Sequence, residues 1–204
     1  MSTQEAVALY NLALEELGQS PIDDFGDASP GAENAEARYT QTVGFLLGLR
    51  TWSFQKTVVQ LSRLEAAPST GYEYAFEIPG AQYVLSVFES LEARDRPLRE
   101  GWRVYEGRVH ANHETLWAEI PAANDPSAWP PVFRQLVIKA VAEACCMQHT
   151  SNRALKADLR QEAYGSAEDY PYGGLVAAAT QLDSQADKGE EMTVGRGPLL
   201  EARD

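Results

Sequence analysis

Cysteine is nearly absent from this chain: two in 204 residues, adjacent at Cys145 and Cys146. Neighbouring helical positions point about 100° apart, which makes a bond between the two geometrically poor. They read as buried free thiols, as a reducing compartment allows. Basic residues are in deficit, with 17 Lys and Arg against 30 Asp and Glu and a net charge of -13. That balance argues against nucleic-acid binding as the main task, because phosphate contacts need clustered Lys and Arg. No apolar run approaches the roughly 18 residues of a membrane span. No basic-then-apolar leader opens the sequence, so synthesis and use in a cytoplasm are expected.

Catalytic patterns are missing too. Ser53, Ser86 and Ser90 lie in no Gly-x-Ser-x-Gly elbow. Asp23, Asp24 and Asp27 lack the spacing and closing Glu of a calcium loop, so a helix-capping acidic loop is the better reading. His110 and His113 stand three apart at a strand end, which points them to opposite faces with no further ligands to complete a tetrahedral set. His149 follows an apolar helical pattern and reads as a C-terminal charge or cap. No catalytic residue, metal site or cofactor is assigned.

What the chain does have is enough apolar residue, 44%, for an ordinary core. Its length suits one compact domain with room for an inserted subdomain, with a radius of gyration of roughly 17 Å. Ser2-Thr3-Gln4-Glu5 reads as a capping box. Val7, Tyr10, Leu14 and Leu17 follow at helical steps, and Gly18 is placed to stop the helix. Ser29-Pro30 reads as the start of a second helix running to Arg50, roughly 31 Å long and the longest strut in the chain. Gly44 and Gly48 inside it suggest close approach of another helix. From Trp52 the period changes to that of strands: residues 57–61, 72–76, 82–88, a hairpin of 103–105 with 108–110 around Glu106-Gly107, and 115–120. Helix returns at Pro130-Pro131 with a wide apolar face to His149, as expected of a central helix. Helices over 153–164 and 175–186 follow, separated by a Gly- and Tyr-rich break. The expected fold class is α+β: a helical bundle (1–51 plus 126–187), an inserted antiparallel β domain (52–125) and an extended C-terminal arm (188–204).

Charge is segregated along the chain. Residues 1–37 carry Glu5, Glu15, Glu16, Asp23, Asp24, Asp27, Glu33 and Glu36 and no Lys or Arg, whereas residues 94–108 carry Arg94, Arg96, Arg99, Arg103 and Arg108. Two solvated faces of one globule would look like this; so would complementary patches that meet between copies. The last stretch has no period, yet Met192, Val194, Leu199 and Leu200 place apolar groups in it. Such a segment is suited to gaining shape on a partner.

Several strings recur in a fixed order: Tyr10-Asn11-Leu12-Ala13-Leu14-Glu15-Glu16-Leu17-Gly18, Trp52-Ser53-Phe54, Gly71-Tyr72-Glu73-Tyr74-Ala75-Phe76-Glu77-Ile78-Pro79, Trp129-Pro130-Pro131-Val132-Phe133, and Gly195 to Arg203. The ordered set resembles the tail tubular protein A family of bacteriophage head-to-tail adaptors. The resemblance implies a non-enzymatic virion protein that assembles as a twelvefold ring. That ring sits between the portal protein and a downstream tail protein, nozzle or tail tube, and DNA passes through it unbound. It also implies synthesis in the host cytoplasm and a portal-facing C-terminal arm, here Met192, Val194, Arg196, Leu199, Leu200 and Arg203. Candidates for the ring interface are Arg94, Arg96, Arg99, Arg103 and the aromatics Trp102, Tyr105 and Trp117; the aromatics would equally suit the core of their own β domain. One departure is the break over 164–174, where the family runs on as a long helix. From other classes, an acidic protein-binding or regulatory module without a virion role remains open, as does a small hydrolase.

Overall fold

A computed structural model describes residues 3–27, 32–80, 83–121 and 125–186. Ser2 of the expected capping box, the Ser29-Pro30 helix start and the whole arm from 188 onward lie outside the described residues.

The first apolar stripe winds up as α1 (Thr3–Glu16), burying Val7, Tyr10 and Leu14 together with Ala6, Leu9 and Ala13. Gly18, at φ 66°, ends it. Gln19 N–H donates to Leu14 O and Gly18 N–H to Glu15 O, each at 2.9 Å, the paired closure that satisfies a helix's last carbonyls. Asn11 then clamps the following loop: its side chain donates to Ile22 O and accepts from Ile22 N–H, both at 2.9 Å.

The second helix is shorter than its composition suggests. α2 spans Ala35–Gly48, 14 residues, or about 21 Å. Asn34 sits in the left-handed region at φ 59°, so the helix cannot extend back through it to Pro30. The longest helix is instead α3 (Pro131–His149), at 19 residues. It starts at a proline whose missing donor costs nothing there, and α1, α2, α4 and α5 all pack against it. Its buried set, from Phe133 through Val137, Val141 and Cys145, occupies more than one face, as a central helix requires. α4 (Arg153–Tyr164) is capped by Asn152, whose side chain accepts from Ala154 and Leu155 N–H. α5 (Gly174–Ala186) closes the bundle. Lys139 of α3 ties α1 to α4, reaching Glu16 at 2.8 Å and Glu162 at 2.9 Å. Cys145 and Cys146 are free and buried.

Between α2 and α3, among the described residues, the chain makes seven strands in two antiparallel sheets. They are β1 (Lys56–Gln60), β2 (Ser62–Arg63), β3 (Tyr74–Glu77), β4 (Ser86–Phe88), β5 (Trp102–Tyr105), β6 (Arg108–Ala111) and β7 (Trp117–Pro121). One sheet has the order β1-β7-β4 and the other β2-β3-β6-β5. The sequence pattern marks six strand segments. The difference arises because the run from Lys56 bends at Leu61, whose N–H donates to Leu116 O at 2.9 Å, and then feeds the second sheet as β2. The two inner faces share a core of Leu61, Phe76, Val87, Val109, Leu116 and Ile120. That core is separate from the helical one built on Tyr10, Tyr39, Trp52, Phe133 and Leu136. The fold is therefore α+β, with an antiparallel β sandwich inserted into a helical assembly of five helices among the described residues.

Candidate functional site

Two of the sequence strings, 75 residues apart, meet in space. Trp52-Ser53-Phe54 is where the chain leaves the helices, and Trp129 to Phe133 is where it returns. Phe133, 1% exposed, has the rings of Trp52 and Phe54 at 4.9 Å and that of Trp129 at 5.2 Å. Trp52 is fully enclosed and donates its indole N–H to Leu46 O at 3.0 Å, which locks it to the end of α2. Aromatic pairs at such separations and tilts add to their burial.

A buried carboxylate from α5 completes the junction. Asp183 Oδ1 accepts from Ser53 N–H at 2.8 Å and from Ser53 Oγ–H at 2.6 Å. Its Oδ2 faces the Arg50 guanidinium at 3.3 Å, an ionic contact without directed hydrogen-bond geometry. Arg50 also donates to Thr180 O at 3.2 Å. Burying a carboxylate this deeply is costly without such partners. An apolar groove of about 110 Å³ runs alongside, lined by Phe54, Val132, Phe133, Ala179, Leu182 and Ala186. The arrangement fixes where the sandwich joins the helices. Arg50 and Asp183 carried no signal in the sequence: a lone acid in an Ala-rich helix acquires its role only from a partner 130 residues away.

The ring-interface candidates fall in the segment leading into β5, on β5 and on β7. Arg94, Arg96, Arg99, Arg103, Arg108 and Tyr105 are exposed. Only Arg96 has an acid within reach among the described residues, Asp95 at 3.8 Å. Trp102 is half-buried, packs on the sandwich core and donates its indole N–H to Leu98 O at 2.9 Å. Trp117 is half-buried opposite Phe88 in the other sheet. Tyr105 stacks at a tilt on His110, 5.3 Å away. The acidic counterpart is partly used within the chain, where Glu5 reaches Arg134 at 3.4 Å and Glu16 reaches Lys139. Asp23, Asp27, Glu33 and Glu36 have no basic partner among the described residues. The arm residues Met192, Val194, Arg196, Leu199, Leu200 and Arg203 lie outside the described residues.

The remaining candidates have structural partners. Thr70 Oγ1 and His110 Nδ1 are 2.6 Å apart, and His113 Nδ1 is 3.6 Å from Glu89. Among the described residues no three His, Cys, Asp or Glu side chains converge as a metal would require. His149 corrects the expectation of a C-terminal charge. Burial, and then Arg38, hold its pKa below the usual 6.5, favouring the neutral ring. The unfolded chain therefore takes up the proton first, and stability falls as pH drops below about 6.5. Thermal melts from pH 8 to 5 should show this loss in the native sequence and less of it in His149→Asn. Gly44 and Gly48 are exposed, with nothing within 4 Å of where a Cβ would stand, so no helix among the described residues approaches them.

A scan against protein-family models finds no match, and a search of curated proteins finds none either.

Proposed function

We propose that this chain is a structural head-to-tail adaptor of a bacteriophage particle, without catalysis. Copies form a ring, twelvefold as in the family it resembles, between the portal protein and the downstream nozzle or tail-tube protein. The observation that carries the reading is the junction. Trp52-Ser53-Phe54 and Trp129 to Phe133, two of the strings on which the resemblance rests, pack into one cluster where a β sandwich is inserted between the second and third helices. A closed ring needs two different matching patches per copy. The exposed arginines of 94–108 and the acids of the first 37 residues supply opposite charges for register and association rate. Repetition of a -13 chain around a lumen repels phosphate, so DNA slides without specific binding.

The arm residues Met192, Val194, Arg196, Leu199, Leu200 and Arg203 make the portal contact in this reading. Mixing the full chain with the portal protein of the same particle is expected to give rings in negative-stain images. Truncation after Gly189 should leave a folded chain that no longer attaches. Normal attachment by the truncated form removes the arm from the reading. Particles that lack the chain yet keep their genome and gain tails overturn it altogether.

A further inference from the structure

β5 is the outer strand of its sheet, hydrogen-bonded to β6 on one side only. Its hairpin closes through Glu106-Gly107, both at positive φ (49° and 73°), the two-residue turn that makes Tyr105 and Arg108 a hydrogen-bonded pair. Bonded and non-bonded pairs alternate along an antiparallel ladder. Arg103 and Tyr105 therefore spend their backbone groups on β6, whereas Trp102 and Val104 turn theirs outward. Among the described residues no group meets these outward N–H and C=O groups.

The two faces of this edge differ. Val104 stands opposite Val109 on the core face and is 39% exposed, so it offers an apolar step that continues the sandwich interior. Arg103 and Tyr105 stand on the other face beside His110 and Arg108, with Arg99 four residues upstream. Arg99, Arg103 and Arg108 form no ion pair among the described residues, although Glu77 of β3 stands opposite Arg108 across the sheet. An open ladder edge recognises polypeptide backbone, and unpaired guanidinium groups on one face recognise carboxylates.

We infer that the β5 edge is a docking strand for an extended segment of another protein in which acidic and apolar residues alternate. Its backbone bonds to Trp102 and Val104. Its carboxylates lie along Arg99, Arg103 and Arg108, and its apolar residues extend the sandwich core beside Val104. A second copy is disfavoured at this edge, because pairing β5 with β5 would set Arg103 against like charge. Arg99, Arg103 and Arg108 are also among the arginines assigned above to the ring contact, so edge docking and that contact compete for them; binding by the isolated chain tests the edge alone.

The probe is a fluorescein-labelled eight-residue peptide of alternating Glu and Val, followed by anisotropy with the full chain. Saturable binding is expected, weakened roughly tenfold by Arg103→Glu and lost in part to salt. Val104→Pro removes an outward N–H that β6 does not use, so it should keep the fold by circular dichroism while losing roughly tenfold in affinity. If that variant fails to fold, a peptide N-methylated at alternate amides makes the same comparison and should bind at least as weakly. Equal binding of a Lys-Val peptide, or undiminished binding by the N-methylated one, overturns the proposal. So does preferential capture of short duplex DNA at about 0.15 M salt, or a dimer of the chain that Val104→Pro dissolves.

Discussion

Replacing Phe133 by Ala is expected to cost about 4 kcal/mol of folding stability, the upper part of the range for deleting an enclosed aromatic. Three rings touch this side chain: Trp52 and Phe54 from where the chain leaves the helices, and Trp129 from where it returns. The void would open onto the neighbouring groove of about 110 Å³, so the surroundings cannot simply collapse to fill it. For a chain of this size the melting temperature should fall by roughly 10 °C. Tryptophan emission reports the same event locally, because Trp52 and Trp129 both flank the lost ring. The sandwich keeps its own core of Phe76, Val87 and Val109, so the loss should fall first on the register between helices and strands. Leu12→Ala, at a residue 44% exposed, should stay within about 0.5 kcal/mol. A Phe133→Ala change no larger than that control would mean the junction is not packed as described.

Most of the helices could be read directly because a period of 3.6 is a local property. Val7, Tyr10 and Leu14 define α1, and Gly18 stops it. α2 was overextended because Ser29-Pro30 reads as an N-cap and first helical position, whereas one Asn in a left-handed turn fixes the boundary. The sheet switch at Leu61 was illegible for a different reason: a two-residue strand has no period, and its partner lies on β3. Gly44 and Gly48 misled through spacing alone, since a pair four apart says nothing of whether a neighbour is present. The aromatic strings were visible one by one. Their convergence was not, because contact across 75 residues depends on the packing of α3 against α2 and α5. Asp183 is the extreme case, a functional-looking carboxylate whose partners Arg50 and Ser53 stand 130 or more positions away. For His149, read as a C-terminal charge or cap, the charge is disfavoured by enclosure beside Arg38, which is a tertiary fact.

Gly174→Ala should be nearly as damaging as loss of Phe133, through the backbone rather than a ring. The break between α4 and α5 folds back on itself. Gly173 N–H donates to Tyr164 O at 3.0 Å, the rings of Tyr164 and Tyr170 meet at 5.4 Å, and Arg160 covers Tyr170 at 4.6 Å. This brings the start of α5 so close to the end of α4 that a Cβ on Gly174 would overlap Glu162 O. It would also stand 2.8 Å from Gly165 N and 3.0 Å from Gln161 O. All of these are main-chain atoms, which cannot rotate aside. The residue also sits at φ 52°, where a side chain costs a further 1–2 kcal/mol or so. Together with about 1–3 kcal/mol for forced overpacking, the expected loss is roughly 3–4 kcal/mol. Relief requires α5 to move, and α5 carries Asp183. Hydrogen exchange at the Ser53 amide, held by that carboxylate at 2.8 Å, should then accelerate even though Ser53 is far along the chain. Gly44→Ala is the internal contrast. It lies within α2, with open space around it, and should gain up to about 1 kcal/mol from helix propensity alone. Opposite signs at the two glycines are what this packing demands. A neutral Gly174→Ala with an unchanged Ser53 amide would show that the α4–α5 corner does not position the acid that pins the junction.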